Sequence, residues 1–524
     1  MGLSDYSKRP ESSQAHSITV NENIYSLFRT RFPADRQSPC LELPDRRCLS
    51  YAELEAESAR YARFLTELGV AAGDRVVVQA EKSPPALFLY LACLRAGIIY
   101  VPLNPAYRRA EIEYFLDDAE PRAVVCAPSL HETMQSTAAK RGIDHVFTLD
   151  ANGHGTLLDA AVETPPTHDV HPVAKDDTAV ILYTSGTTGR SKGAMLTHRN
   201  LAANGLALHH AWGWRAGDVL LHALPIFHIH GLFVACHGAL LNGSKMIFLP
   251  KFDAAEVARR LPQATVFMGV PTYYTRLLAE GTFGKEQCRR MRLFTCGSAP
   301  LLPQTFHEFQ QRTGHAILER YGMTETGMNT SNPLDGPRRP GTVGTPLPGV
   351  SVRIADDRGA EVAPGEIGQL LVKGDNVFKG YWRLPEKTAE EFTADGYFRT
   401  GDLVRRDDDG YISIVGRTKD LIISGGLNIY PKEIESYLDK VDGVLESAVI
   451  GVPHPDFGEA VVAVIVLKPE GVDLTEARLI AALKERIAGF KVPKRVFFVP
   501  ELPRNTMGKV QKNLLRDRYA QPPT

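Results

Sequence analysis

AVILYTSGTTGRSKGAMLTH, residues 179–198, is the stretch on which the reading of the fold turns. Its first five residues, Ala179 to Tyr183, are a short apolar run with the composition of a buried strand. It breaks into Thr184-Ser185-Gly186-Thr187-Thr188-Gly189-Arg190-Ser191-Lys192-Gly193. Small residues there let backbone N–H groups approach an anion, the hydroxyls add donors, and Arg190 and Lys192 add positive charge. The spacing is not that of the Walker loop, because no Ser or Thr follows a correctly placed Gly-Lys. On these residues alone, a flexible surface loop stands beside the phosphate-loop reading.

Working upstream, the pattern around this strand is one of alternation. Ser50-Tyr51-Ala52-Glu53 has the form of a capping box and opens a helix with apolar Leu54, Tyr61, Leu65 and Leu68, stopped at Gly69. VVVQA, a helix around Leu87–Leu94, the strand IIYVPL, the helix AEIEYFLDDA and the strand RAVVCA follow in turn. Strands alternating with helices predict an α/β body with a mainly parallel sheet covered on both faces. Downstream of residue 340 the texture changes to Gly and Pro with short alternating runs, VSVRIA and GQLLVKG, which read as hairpins. Beyond GRTKD a smaller α+β unit is expected, with a helix after Pro431, strands ESAVIGV and AVVAVIVL, and a helix over Leu479, Ile480, Leu483 and Ile487 that ends at Gly489. The expected division is a flexible tail over 1–20, a large N-terminal domain over 21–418 and a small mobile domain over 419–524.

Composition narrows the function. A chain of 524 residues with 44% hydrophobic and 23% charged residues is globular and holds several domains. A net charge of −1 offers no electrostatic case for nucleic acid or an anionic membrane, so a small-molecule partner is expected. Seven scattered cysteines form no C-x-x-C pair, which argues against disulfides or a zinc site and for a reducing cytoplasm. The polar start has no apolar signal segment, and Tyr6 stands where a myristoylation motif wants Ser or Thr. ALFLYLACLRAGIIYVPL contains Arg95 and Pro102 and reads as a buried helix and strand rather than a membrane span.

Four further segments stand in order with the loop: ERYGMTETG at Glu319–Gly327, YFRTGD at Tyr397–Asp402, GRTKDLIISGGLNIYPKEIE at Gly416–Glu435 and LPRNTMGKVQK at Leu502–Lys512. Together they resemble the motifs of the adenylate-forming enzymes, the superfamily of acyl-CoA synthetases, peptide-synthetase adenylation domains and firefly luciferase. The resemblance implies the fold of that superfamily and ATP, Mg²⁺ and coenzyme A as reactants or cofactors. It implies that Thr184, Ser185, Gly186, Thr187, Thr188, Gly189 and Lys192 surround the phosphates. Gly297, Ser298 and Ala299, with Glu319, Arg320, Tyr321, Gly322, Met323 and Thr324, would line the nucleotide. Glu325 would bind Mg²⁺, with Thr324 at the α-phosphate, and a carboxylate suits that hard cation. Asp402 would accept the ribose hydroxyls, Arg417 would hold ribose or phosphates, and Lys509 would be the catalytic lysine of adenylation. Lys419 would be a hinge, and Gly425-Gly426 would line the path of the pantetheine arm.

Within that superfamily, HALPIFHIHGLF (His222–Phe233), MGVPTYYTRLL (Met268–Leu278) and LFTCGSAPLL most resemble malonyl-CoA synthetases. The resemblance implies malonate as the acid, with His228 beside the reacting carboxylate and Arg276 and the Ser298 hydroxyl at the distal one. A dianion leaving water needs such a cationic, bidentate partner. Methylmalonate, a synthetase for another short- or medium-chain acid, and a non-catalytic adenylate-binding protein stand as alternatives. The His228-x-His230 pair reads as satisfied histidines rather than a metal site. Oligomeric state is not legible.

Overall fold

The computed structural model describes residues 21–184, 191–424, 427–454, 458–469, 474–487, 489–505 and 508–520. The expected tail over 1–20 therefore lies outside the described residues.

The strand predicted ahead of the Gly-rich loop spans Thr178–Thr184 and runs antiparallel to Lys192–Thr197. On its other side it continues a parallel array: Ile99–Pro102, Arg75–Gln79, Ala123–Cys126 and His145–Thr148. A second, larger sheet has a parallel centre made by Lys245–Phe248, Val219–His222, Val266–Gly269, Leu293–Cys296 and Leu318–Met323. Beyond Leu318–Met323 it turns antiparallel at Gly327–Ser331. The predicted α/β class is the observed one, with two such sheets rather than one.

One apolar core unites the two sheets. Val76, Val125 and Val180 from the first and Leu220, Met246 and Val266 from the second belong to it. The helix Pro84–Ala96 lies in this core with every side chain from Ala86 to Ala96 buried. Two prolines start it and Gly97, with φ 71°, ends it in the left-handed conformation glycine tolerates best. This is the stretch predicted as a buried helix rather than a membrane span, and no helix among the described residues is long and apolar enough to cross a membrane. The predicted capping box forms at Ser50 and Glu53 and starts the helix Tyr51–Glu67.

The expected hairpin runs form a separate antiparallel sheet, Val350–Ala355, Ile367–Gly374, Phe398–Arg406 and Ile412–Arg417. A single turn, Thr418–Asp420, leads from it into the C-terminal unit. There Val444–His454 and Gly458–Leu467 pair antiparallel, with Arg495–Phe498 parallel to the latter. Alternate side chains serve two small cores: Val449 joins Ile434, Leu438 and Leu479, while Ala448 and Ile450 join Leu502 and Leu515. The helix predicted over Leu479–Ile487 is observed as Glu476–Lys484, starting and ending three residues earlier. Ile487 follows it in a turn yet still packs on the same core, so apolar periodicity overran the helix end.

Candidate active site

The antiparallel sheet delivers Asp402 and Arg417 to one point, because they are direct partners across two strands. Arg417 Nε lies 2.8 Å from Asp402 Oδ1, and the carboxylate is 2% exposed. The Tyr321 hydroxyl donates to Asp402 Oδ2. Burial first, then the Asp402 charge, pushes that phenol far above its usual range, so Tyr321 is a permanent donor. The Asp402 charge raises the Arg417 pKa, which keeps the guanidinium charged. The two carboxylate oxygens are thus held in place with lone pairs to spare for further donors.

Glu325 follows the strand Leu318–Met323 in a tight reversal where a Cβ on Gly322 would meet Gly327 O at 2.2 Å. Its carboxylate is buried and accepts from Tyr381 Oη at 3.1 Å and Thr184 Oγ1 at 3.4 Å. Burial raises its pKa, opposed by Tyr381 and by the charges of Lys192 and Arg417. A buried carboxylate short of positive charge, beside the strand end that enters the Gly-rich loop, is a donor set that fits a hard divalent cation. Lys192 is buried under the Tyr381 ring, its Nζ 4.0 Å from the centroid and 3.5 Å from Glu391. Tyr381 was not found from sequence, since nothing near Gly380-Tyr381 marks it.

Lys509 reaches this cleft from the C-terminal unit. Its backbone N–H donates to Asn505 Oδ1 at 2.9 Å, and Arg504 Nη1 donates to Gly508 O at 2.6 Å, so the turn is braced from within. Burial among cleft atoms, then the Arg417 and Lys419 charges, lower the Lys509 pKa to about 8, with Asp402 and Asp420 opposing. Its surface nonetheless stays exposed, as a lysine at a cleft mouth would be. Lys419 sits in the turn Thr418–Asp420, and Asp420 is paired to Arg516 at 2.5 Å.

The far end of the cleft is polar. Ser298 holds φ 71°, uncommon for a residue with a side chain, and its Oγ lies 3.2 Å from His230 Nδ1. His230 opens a π-helix over His230–Cys236. Burial, then the charges of Arg320 and Lys509, lower the His228 pKa to about 4, so the ring is neutral. Behind it, buried Lys82 donates to His222 O at 2.9 Å and meets His222 Nδ1 at 2.9 Å. This bracing was missed, for Lys82 stands alone in the sequence.

Not every expected residue converges. The Glu319 carboxylate accepts from Gly341 N at 3.2 Å, and burial raises its pKa to about 8. Arg276 lies on the exposed side of the helix Pro271–Ala279, with no hydrogen-bond or ion-pair partner among the described residues. Ala299, Met323 and Thr324 are half-buried. Ser185, Gly186, Thr187, Thr188, Gly189, Gly425 and Gly426 lie outside the described residues.

The family AMP-binding enzyme matches residues 29–382, and the AMP-binding enzyme C-terminal domain matches 433–509. The chain is 38% identical over 513 residues to a mitochondrial malonate–CoA ligase of Mus musculus, covering 90% of this chain and 87% of that protein. It is also 38% identical over 475 residues to a feruloyl-CoA synthase of Amycolatopsis sp, covering 90% and 94%. The crystal structure of ATP-bound MatB from Rhodopseudomonas palustris superposes with a TM-score of 0.93 at 53% identity, over 95% of this chain and 99% of that one.

Proposed function

The chain belongs to the AMP-binding enzyme family, and we infer that this AMP-forming acid–thiol ligase joins malonate to coenzyme A. A malonate carboxylate oxygen attacks the α-phosphorus of ATP, diphosphate leaves, and malonyl-adenylate remains. The thiol sulfur of coenzyme A then attacks the acyl carbon, the thiol proton goes to solvent, and AMP leaves.

The residues divide that work. Asp402, fixed by Tyr321 and Arg417, accepts the ribose hydroxyls through its free lone pairs. Glu325 would hold Mg²⁺, which supplies charge neutralisation for the phosphates. Lys509 lies between the attacking carboxylate and the α-phosphate, where an ammonium offsets the repulsion of two anions and the charge that develops. Neutral His228 lines the reacting carboxylate without competing for the proton inventory. Arg276 and the Ser298 hydroxyl approach the second carboxylate from the helix Pro271–Ala279 and the turn after Cys296. Lys419 is the hinge about which residues 419–524 exchange Lys509 for the Gly425-Gly426 segment, so that two reactions share one nucleotide site. Seven unpaired cysteines suit a cytoplasmic location.

The observation that carries the acid assignment is the polar end of the cleft, where His228, His230 and Ser298 stand in place of the apolar tunnel a fatty chain needs. Methylmalonate differs by one methyl, worth roughly 1–3 kcal/mol in a pocket, and is the nearest competitor. The test is AMP release that depends on both ATP and coenzyme A, with malonate, methylmalonate, acetate, butyrate and a long-chain acid. Strong malonate turnover supports the reading. Turnover confined to monocarboxylates would keep the ligase and discard malonate.

A further inference from the structure

A lysine without a carboxylate partner lies behind the acid end of the cleft. Lys82 is 6% exposed, and burial lowers its pKa to about 7. Its Nζ donates to His222 O at 2.9 Å, meets His222 Nδ1 at 2.9 Å and stands 4.2 Å from the centre of the Phe248 ring. The contact spans the two sheets. Lys82 follows the strand Arg75–Gln79 of the first, and His222 ends the strand Val219–His222 of the second. Both stand at the carboxyl ends of parallel strands, the edge where α/β sheets bind their ligands. Burying an amine there is costly. Cohesion of the sheets does not call for it, because apolar side chains already unite them.

The neighbours of His222 decide where its proton sits. Nε2 lies 2.9 Å from Gly231 O, and a carbonyl has no hydrogen to give, so Nε2 carries the proton and donates it. Burial, then the Lys82 charge, hold the ring far below its usual pKa, so it is neutral and Nδ1 keeps a lone pair. Lys82 therefore donates to Nδ1, which an amine does in either protonation state. Without that donor the other tautomer is open, and it would turn Nε2 from Gly231 O to Cys236 Sγ, 3.1 Å away. Gly231 is the closing point of a loop. Residues 223–228 leave the strand at His222 and the chain returns in the π-helix His230–Cys236, a form that recurs at functional sites. A Cβ on Gly231 would lie 1.9 Å from Pro225 O, so the return passes against the outgoing chain. Inside the loop, Leu232 N donates to His228 O at 3.0 Å and His230 N to His228 Nδ1 at 3.2 Å. Both cleft histidines thus belong to a loop whose ends are tied through His222.

We propose that Lys82 is a positioning residue for the acid: by fixing the tautomer of His222 it ties Gly231 O to the strand end and sets where His228 and His230 stand in the cleft. The inference rests on the malonate reading, in which His228 lines the reacting carboxylate. Lys82 acts through His222 and is not itself catalytic. A displacement of about 1 Å beside the reacting atoms costs on the order of 100-fold in rate, so a loose loop is felt at the acid. The nucleotide is held by Asp402, Glu325 and Lys509 from other elements, and its binding does not depend on this tie.

The test measures malonate kcat/KM and the ATP KM for wild type, Lys82→Met, His222→Gln and the double variant. Methionine is close to lysine in length and cannot donate. Lys82→Met should lose roughly 10- to 100-fold in malonate kcat/KM, with an ATP KM within about twofold of wild type. Glutamine at position 222 offers an amide N–H in place of Nε2–H and has no tautomer to select. Whatever His222→Gln costs alone, adding Lys82→Met to it should cost less than about twofold more, the coupling expected when both residues act by one route. Equal losses from Lys82→Met in both backgrounds, or a lower melting temperature with malonate kcat/KM unchanged, would make Lys82 structural and overturn the proposal. His222→Leu removes the donor to Gly231 O from the other end and serves where Lys82→Met does not fold. The same malonate-selective loss is expected of it, and a wild-type kcat/KM there also overturns the proposal. A wild type that does not turn over malonate defeats the malonate reading itself, and the same cycle on the acid it does use still decides the role of Lys82.

Discussion

Gly508 rests against Thr272: a Cβ at this glycine would lie 3.3 Å from Thr272 Oγ1 and 3.4 Å from Cγ2, and its φ is 74°. The contact joins the turn that carries Lys509 to the helix that carries Arg276, so the C-terminal unit docks at the acid end of the cleft. A β-branched residue at position 508 is strained in its backbone and pushed off that helix together. Gly508→Val should slow adenylate formation by about tenfold or more, in line with the cost of a misplaced catalytic group. Thioester formation from supplied malonyl-adenylate should be within about twofold of wild type. Equal losses in both half-reactions would show that the turn matters for folding and not for docking.

Lys509→Ala separates the same two reactions more sharply. Removing one preorganised charge from a developing anion costs about 10²–10³-fold. Diphosphate release with malonate and ATP should fall by at least that much, while malonyl-adenylate and coenzyme A still give the thioester. Burst measurements of diphosphate and of malonyl-CoA distinguish the two, and survival of both would remove Lys509 from its assigned role.

The pH dependence follows from the lowered pKa of the same lysine. Burial and the nearby Arg417 and Lys419 charges bring it to about 8 in the ligand-free enzyme. The ammonium is the active form, so kcat/KM for adenylation should be flat below that value and fall as pH rises through it. Bound malonate and ATP add negative charge beside the ammonium and favour its protonated form. The decline in kcat should therefore lie at higher pH than the decline in kcat/KM. For stability the sign is opposite: a lysine whose folded pKa lies below its unfolded one opposes folding at low pH. That opposition is relieved as pH rises from about 8 towards 10.4. A pH–rate profile without a decline in kcat/KM between pH 7 and 9 would contradict the assignment.

Much of this was legible before any coordinates, and for identifiable reasons. The helix Tyr51–Glu67 announces itself because Ser50 and Glu53 cap it locally, and the helix Pro84–Ala96 because prolines and Gly97 bound an unbroken apolar run. Asp402 and Arg417 were found as separate motif residues; only the strand register makes them partners. What stayed hidden depends on long-range contacts. Tyr381 reaches Glu325 from 56 positions away, and Lys82 reaches His222 from 140. The overrun at Ile487 has the same origin: the residue is apolar because it packs, and packing does not require helix.

Asp402→Asn tests the partnership that register creates. The amide keeps the shape but carries no charge, so Arg417 loses its ion pair and Tyr321 loses an ionised acceptor. Breaking a buried pair costs about 3–5 kcal/mol, and the partial exposure of Arg417 reduces that here to roughly 1–3 kcal/mol. The melting temperature should drop accordingly. The ribose loses its anionic acceptor too, so the ATP KM should rise about tenfold or more while the malonate KM stays near wild type. Carrying the reaction out with 2′,3′-dideoxy-ATP distinguishes the two effects. If Asp402 serves the ribose, wild type and variant should use that analogue about equally well, because neither can make the contact. A variant that is as deficient on the analogue as on ATP would mean that Asp402 only holds Arg417 in place.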